Sequence, residues 1–455
     1  MARLSRREFL QVSAVTGVGA ILAACGGTQP PAATPEPGGA ASPTTAPDPG
    51  TEPQQPPETP SRFSEAPDLA DKVAAGELPP VEERLPENPF VITGLDGIGN
   101  YGGGWRLNKR GQADGTARAQ VLDRSVLEID QNLNVIAKMA ESWEVSPDAT
   151  EWTFTLRRGL KWSDGAPLTS EDFRFWYEDL ILNREYTVAH PKWMASVVDG
   201  ELVPATFSAP DDFTVKYTFA QPAALFQYRG EMVNGLGIAA PAHYLKSFHP
   251  EYGDEAEIGD LIASNTSWDD WTQLLADKNN VSLTPERPTN EPWLSTNLWS
   301  DEIVILERNP YFWEVDGEGN QLPYIDKLMF RDFTDLQVAV MRVVSGEVDC
   351  QGRHTGTDFA NYTVFKESEA QGDYTVQIWR GTRVECLHFN MTTKNARLRE
   401  LFMERDFRIA ISHAVNRDEM RELLMDGFAT NMQYAPPADS PLYYEKQAKA
   451  YLEYD

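Results

Sequence analysis

Apolar and polar side chains alternate one for one along Trp152-Thr153-Phe154-Thr155-Leu156. Successive strand side chains point to opposite faces, so this run predicts a strand with one buried face. Further strands are read at Asn88 to Leu95, Phe213 to Phe219 and Ile303 to Leu306, with one or two more between Asp373 and Phe389. The period changes after Thr169. Phe173, Trp176, Tyr177 and Leu180 fall at i, i+3, i+4 and i+7, one face of a helix, and Thr169 with Asp172 supplies its N-terminal cap. Residues 336 to 344 read as a short apolar helix, and Asn416 with Glu419 caps a helix carrying Met420, Leu423 and Leu424. Turns are expected at Lys161-Trp162-Ser163-Asp164-Gly165 and Asp316-Gly317-Glu318-Gly319-Asn320, and a helical run at Tyr443 to Tyr454. Strands and helices interleave irregularly without a repeat, which points to α/β or α+β lobes.

The first 60 residues follow neither period. Arg3, Arg6 and Arg7 precede an apolar stretch at 12 to 24, and small residues lead to Cys25, the pattern of an export signal. That stretch is too short to span a bilayer, which takes about 20 residues. Residues 26 to 60 hold 11 prolines and no Val, Ile, Leu, Met, Phe, Trp, Tyr or Cys. Such a chain buries no core and favours extended polyproline II, reaching at most roughly 110 Å.

The remainder of the 455 residues is more than one core usually organises, so two lobes are expected. The formal charge is -29, and the basic signal makes the rest of the chain more acidic still. That argues against nucleic acid, whose phosphates need Lys and Arg, and against an electrostatic grip on anionic lipid. Cys350 and Cys386 show no Cys-x-x-Cys spacing; a pairing outside the cell is the alternative, and two buried thiols are expected.

Ser5-Arg6-Arg7-Glu8-Phe9-Leu10 resembles the twin-arginine export signal, and Leu22-Ala23-Ala24-Cys25 resembles the lipobox of bacterial lipoproteins. The resemblance implies a mature chain beginning at Cys25, lipidated there, and held on the outer face of the cytoplasmic membrane, at the cell surface or in the periplasm.

A longer resemblance begins at Ala140. Ala140-Glu141-Ser142-Trp143-Glu144-Val145-Ser146-Pro147-Asp148 through Trp162-Ser163-Asp164-Gly165, continuing to Phe173, resembles the signature of the family 5 extracellular solute-binding proteins, the oligopeptide, dipeptide and nickel binding components of ABC importers. Three blocks follow in that family's order: Val304-Ile305-Leu306-Glu307-Arg308-Asn309-Pro310-Tyr311-Phe312-Trp313, Ser345-Gly346-Glu347-Val348-Asp349, and Asp406-Phe407-Arg408-Ile409-Ala410-Ile411-Ser412-His413-Ala414-Val415-Asn416-Arg417. The resemblance implies an α/β, periplasmic-binding-protein-like two-lobe clam of type II with an extra subdomain in lobe I. On that basis 1–25 is the signal, 26–85 the tether, 86–320 lobe I with the subdomain at about 120–205, and 321–455 lobe II. Family members continue well beyond the equivalent of Asp455, so lobe II is expected to lack its C-terminal part.

The implied activity is capture of a solute by hinge closure and delivery to a membrane permease, with no catalysis and no cofactor. The implied partners are a peptide or oligosaccharide and the ABC permease, with the protein a monomer. Arg287-Pro288-Thr289-Asn290-Glu291-Pro292-Trp293-Leu294 replaces the usual Gly-rich lead-in to the crossing strand, and with Val315 to Asp326 resembles the subgroup that includes oligosaccharide binders.

Position and chemistry single out pocket candidates. Tyr101 and Trp105 flank bare glycine backbone, which lets a ligand approach closely. Trp193 lies in the loop after the signature helix and Trp293 near the crossing strand, while Trp379, Arg383 and Glu385 precede the expected lobe II strand. The bland alternative for each tryptophan is core packing.

Competing chemistry is weaker. Gly97-x-Gly99-x-x-Gly102 follows a strand, but Gly103 to Arg110 does not open an amphipathic helix, as dinucleotide binding by an exported oxidoreductase requires. Asp316, Glu318 and Asn320 alternate like calcium ligands, yet Leu322 and the missing position-12 Glu favour a solvated hairpin turn. No His cluster suggests nickel or haem, although His388 lies beside the expected cleft. A surface adhesin or scaffold would share the signal and tether but not the family blocks.

Overall fold

The computed structural model describes residues 62–92, 96–119, 121, 125–229, 232, 237–355, 359–379, 385–440 and 442–455. The signal, Cys25, the proline-rich linker to residue 60 and Arg383 lie outside the described residues.

In chain order the strands are β1 (Phe90–Ile92), β2 (Gly104–Lys109), β3 (Leu127–Ile129), β4 (Val135–Ala137), β5 (Ala140–Val145), β6 (Glu151–Leu156) and β7 (Ala195–Val198). They continue with β8 (Glu201–Pro204), β9 (Thr206–Asp211), β10 (Thr214–Thr218), β11 (Trp293–Ser295), β12 (Ile303–Arg308), β13 (Glu314–Asp316) and β14 (Lys327–Asp332).

The alternating run at 152–156 becomes β6, the second strand of an antiparallel sheet ordered β5-β6-β10-β9. Trp152, Phe154 and Leu156 are buried while their neighbours are half-exposed, as the period requires. Phe154 pairs with Val215 and Trp152 with Tyr217, so one face of the sheet is apolar and largely aromatic. Trp162, Phe173, Tyr177 and Phe226 close that core, joined by Phe312 and Trp313 from the turn after β12.

Thr169 and Asp172 form a capping box, as expected. The helix they start is α-helical only from Ser170 to Arg174 and widens to a π-helix from Phe175 to Ile181. The wider turn rotates the buried face, so Phe175 joins Phe173, Tyr177 and Leu180 inside while Trp176 is half-buried.

The second sheet is ordered β11-β12-β14-β2, with β14 and β2 parallel and the other pairs antiparallel. Its inner face carries Leu107, Val304, Leu306, Leu328 and Phe330, covered by Trp299 and Ala117. The expected lobe boundary at 320/321 separates β12 from β14, which are hydrogen-bonded neighbours, so residues up to Asp332 belong with the first half. The aromatic core likewise runs past the expected subdomain limit of 205, since Val215, Tyr217, Phe219 and Phe226 complete it.

The tether expected to run to residue 85 ends earlier. Helix Pro67–Ala74 has Pro at its start, Asp68 in its first turn and Leu69 buried. Arg84 is fully buried, with Nε donating to Pro79 O at 3.0 Å, Nη1 to Gln321 Oε1 at 2.8 Å and Nη2 to Glu65. Val81 and Leu85 pack on Val315, and β1 pairs in parallel with β13. The sequence signal was the return of apolar residues after Pro60, beginning with Phe63.

Helix Leu336–Val344 matches the apolar run at 336–344 and packs on Phe365 of helix Tyr362–Glu367. No strand forms among the described residues of 373–389, because none of them finds a neighbour for its main-chain ladder. Asn416 caps helix Arg417–Met425, accepting from Glu419 N at 3.1 Å, but Met420, Leu423 and Leu424 are exposed. Within 443–454 the helix covers only Glu445–Ala448. Cys350 and Cys386, expected as buried thiols, are exposed and free, because both sit on irregular segments outside the sheets. Among the described residues no helix is long and apolar enough to cross a membrane.

Candidate functional site

One apolar row crosses the second sheet from Ser295 through Leu306 and Leu328 to Trp105. Moving along β2 on the same face, Trp105 is followed by Leu107 and then Lys109, which pairs in register with Asp332. The apolar face therefore ends in a charge. Lys109 is fully buried, with Nζ 3.9 Å from Asp332 Oδ2 and 5.7 Å from the centroid of the Trp299 ring. Burying an ammonium is costly unless a countercharge and an aromatic face offset it, and both are supplied here.

A buried pair lies on the β11 side of the same sheet. Arg118, on the short helix Gly115–Ala119, donates through Nη2 to Glu291 Oε2 at 2.6 Å and through Nη1 to the Ser295 hydroxyl. A third group lies past the end of β2, where Asp114 accepts from Arg110 N at 2.9 Å and Arg353 Nε at 2.7 Å, with His354 Nε2 at 2.7 Å. Desolvation raises the Asp114 carboxyl, and the hydrogen bonds from His354, Arg110 and Arg353 overcome it, leaving the pKa below its ordinary value.

Two predicted aromatic residues belong to this region. Trp105 and Trp293 both pack against the core of the second sheet, and Trp293 Nε1 donates to Ile325 O at 3.0 Å. Tyr101 is nearby but committed to the fold: its hydroxyl donates to Gln321 O at 2.8 Å, its ring meets Tyr324 edge-on, and Arg308 lies 5.4 Å above it. Burial first, then the Asp316 charge, pushes the Tyr101 hydroxyl well above its ordinary pKa. A Cβ at Gly99 would sit 2.5 Å from the Tyr324 ring, so this glycine serves the packing of Tyr324.

The other candidates lie elsewhere. Trp193 is stacked on Phe226 at 5.9 Å and near Trp176 at 6.4 Å, within the aromatic core of the first sheet. Trp379 is 78% exposed, its Nε1 3.4 Å from Gln377 Oε1, and Glu385 is exposed. Asp316 ends β13 and is buried, unlike the solvated turn residue expected: its carboxylate accepts from Glu318 N at 2.8 Å, Asn320 N at 3.0 Å and Asn320 Nδ2 at 2.6 Å and so closes the turn that follows. Among the described residues no group of three or more His, Cys, Asp or Glu side chains is placed to hold a metal ion.

Sequence reading missed Lys109, Arg118, Glu291 and Asp114. Lys109 had a signal, because the period of two that places Trp105 and Leu107 inside places Lys109 inside as well. The ion pairs had none, since their partners lie 173 and 239 residues away. A cavity of about 10 Å³ beneath Met139 and Phe173 has room for one water, and an open hollow of about 420 Å³ lies beside Asp406 and His413.

The family model described as bacterial extracellular solute-binding proteins, family 5 Middle, matches residues 134–455. A periplasmic alpha-galactoside-binding protein of Rhizobium meliloti (strain 1021) is 27% identical over 417 residues, 84% of this chain and 56% of that protein. A solved structure of the oligopeptide-binding protein OppA is 36% identical with a TM-score of 0.73, over 88% of this chain and 62% of that one. The periplasmic binding protein MelB of Agrobacterium fabrum C58, solved with stachyose, shares the fold at 23% identity and a TM-score of 0.58, over 80% of this chain and 56% of that one. The chain thus spans about half the length of the curated relatives it matches.

Proposed function

The chain belongs to the bacterial extracellular solute-binding proteins, family 5, and from that premise we propose that it is the solute-capturing component of an ABC importer. The likeness to an oligopeptide-binding protein at 36% identity carries this reading, and makes a peptide the first candidate solute. An oligosaccharide is the second, favoured by the alpha-galactoside-binding relative and by the indole rings of Trp105 and Trp293 beside buried polar groups. No bond is made or broken in this role.

Ligand contacts that exist only in a closed form shift the population toward that form, which a membrane permease then reads. The pair Lys109–Asp332 ties the end of β2 to β14, and the buried pair Arg118–Glu291 ties the helix after β2 to the segment before β11, so binding spends little on ordering the protein side. The lobes at 86–332 and beyond, the linker at 26–60 and lipidated Cys25 belong to the same reading: a soluble domain tethered to the outer face of the cytoplasmic membrane, within reach of the permease.

Thermal unfolding of the full chain with oligopeptides and with α-galactosides tests the reading. A ligand at 100 times its Kd stabilises by about 2.7 kcal/mol, a readily measured rise in Tm. A rise with oligopeptides supports the first candidate and a rise with α-galactosides the second; no rise with either class overturns solute capture. Loss of detergent-phase partitioning in Cys25→Ser tests the anchor.

A further inference from the structure

β2 is an edge strand, and its free edge is closed by side chains instead of a neighbouring ladder. Asp349 Oδ2 accepts from Arg106 N at 2.6 Å and Gln351 Oε1 accepts from Asn108 N at 2.8 Å, while Asp349 N donates to Arg106 O at 3.0 Å. Arg106 also clamps Asp349 through Nε at 3.0 Å and Nη2 at 2.6 Å. The segment from Asp349 onward thus lies where a fifth strand would, but most of its grip is side-chain grip.

At its far end the segment turns sharply. His354 sits at φ +64°, a left-handed conformation that residues with a Cβ rarely adopt. Thr355 N donates to Arg353 O at 2.8 Å across that turn, and Thr355 is buried. The turn lets two consecutive side chains, Arg353 and His354, converge on the one carboxylate of Asp114, which is itself only 4% exposed. An ionised carboxylate only accepts, so His354 Nε2 carries the proton toward it. Phe333 packs edge-on against the imidazole at 5.4 Å and completes the enclosure.

We propose that Asp114 is a positioning residue: its carboxylate latches the Gln351–Thr355 turn to the free edge of β2 and holds His354 in its left-handed conformation. The latch fixes where the chain leaves the sheet toward helix Tyr362–Glu367. It sets the pose of the segment through the edge of a sheet that remains intact when the latch opens, because no strand ladder has to break. The inference goes beyond solute capture, and only the affinity measurement below rests on that reading.

Hydrogen exchange of the full chain tests it. Asp114→Asn swaps an acceptor for an amide donor facing three donors, and a charge-assisted hydrogen bond contributes about 1.5–3 kcal/mol. Exchange of the 351–355 amides and of Arg106 and Asn108 is expected to quicken by about tenfold or more, with β6 and β10 unchanged. His354→Gly permits the left-handed backbone without the carboxylate, so Asp114→Asn/His354→Gly is expected to recover protection relative to Asp114→Asn. Unchanged exchange at 351–355 in Asp114→Asn, or no recovery in the double variant, overturns the latch. If Asp114→Asn fails to fold, Arg353→Ala with His354→Gln gives the same local readout. Weaker oligopeptide binding by the latch variants would link it to capture, whereas a wild type that binds no oligopeptide leaves the exchange result to decide the latch.

Discussion

Arg118 and Glu291 meet at 2.6 Å with side chains 3% and 0% exposed, a salt bridge closed off from water beside the row that ends in Trp105. Removing one member of such a pair strands the other's charge in the interior. Glu291→Gln is expected to destabilise by about 3–5 kcal/mol, while the double change Arg118→Met/Glu291→Leu costs far less. Chemical denaturation of the three proteins checks this, and equal losses in the single and double variants would show that the pair's charge is not what matters.

Two histidines make stability depend on pH. Burial lowers the pKa of His190, with a further push from Arg184, and burial lowers His249 against the pull of nearby carboxylates. Neither ring nitrogen of His190 has a hydrogen-bond partner among the described residues. Above about pH 6.5 both states are neutral at these sites, so stability is level; below it the unfolded chain takes up protons that the folded chain refuses, and stability falls. Glu171, held down to about 2 first by its hydrogen bond from Arg174, begins to cost stability only at more acid pH. Tm is expected to drop between pH 7.5 and 5.5, and His190→Phe to drop less; parallel curves would remove His190 from the account.

Gly346 joins helix Leu336–Val344 to the segment clamped by Arg106. It lies at φ +72°, and a Cβ there would stand 2.5 Å from Gly372 O. Gly346→Ala meets both backbone strain and a main-chain clash, and is expected to cost more than about 1 kcal/mol. Limited proteolysis should then cut within 362–372 faster than in the wild type, and an unchanged cleavage rate counts against the packing described.

Tryptophans that sequence alone treats alike should separate on mutation. Trp193→Ala opens the aromatic core and is expected to cost about 3 kcal/mol with oligopeptide affinity unchanged. Trp293→Ala, half-buried on β11 against the apolar face of the second sheet, is expected to weaken oligopeptide binding as well. Calorimetric titration beside thermal melts distinguishes the two, and a binding defect confined to Trp193→Ala would invert the assignment.

The sequence by itself determined what is local. A period of two built β6, and the Thr169–Asp172 pair started its helix. Each is settled within a few residues by backbone geometry and composition. It left the Phe175 turn unseen, because a π-helix arises where packing against Tyr217 and Trp193 outweighs the regular period.

Only the tertiary structure decided the charges at the end of β2. The period of two turns Lys109 inward, but its countercharge is there only because β14 pairs with β2 in parallel and places Asp332 beside it, and Asp114 matters because His354 returns to it from 240 residues away. Such pairings depend on which strands become neighbours, and that is fixed by burying the apolar faces of the whole sheet together, which no short window of sequence contains.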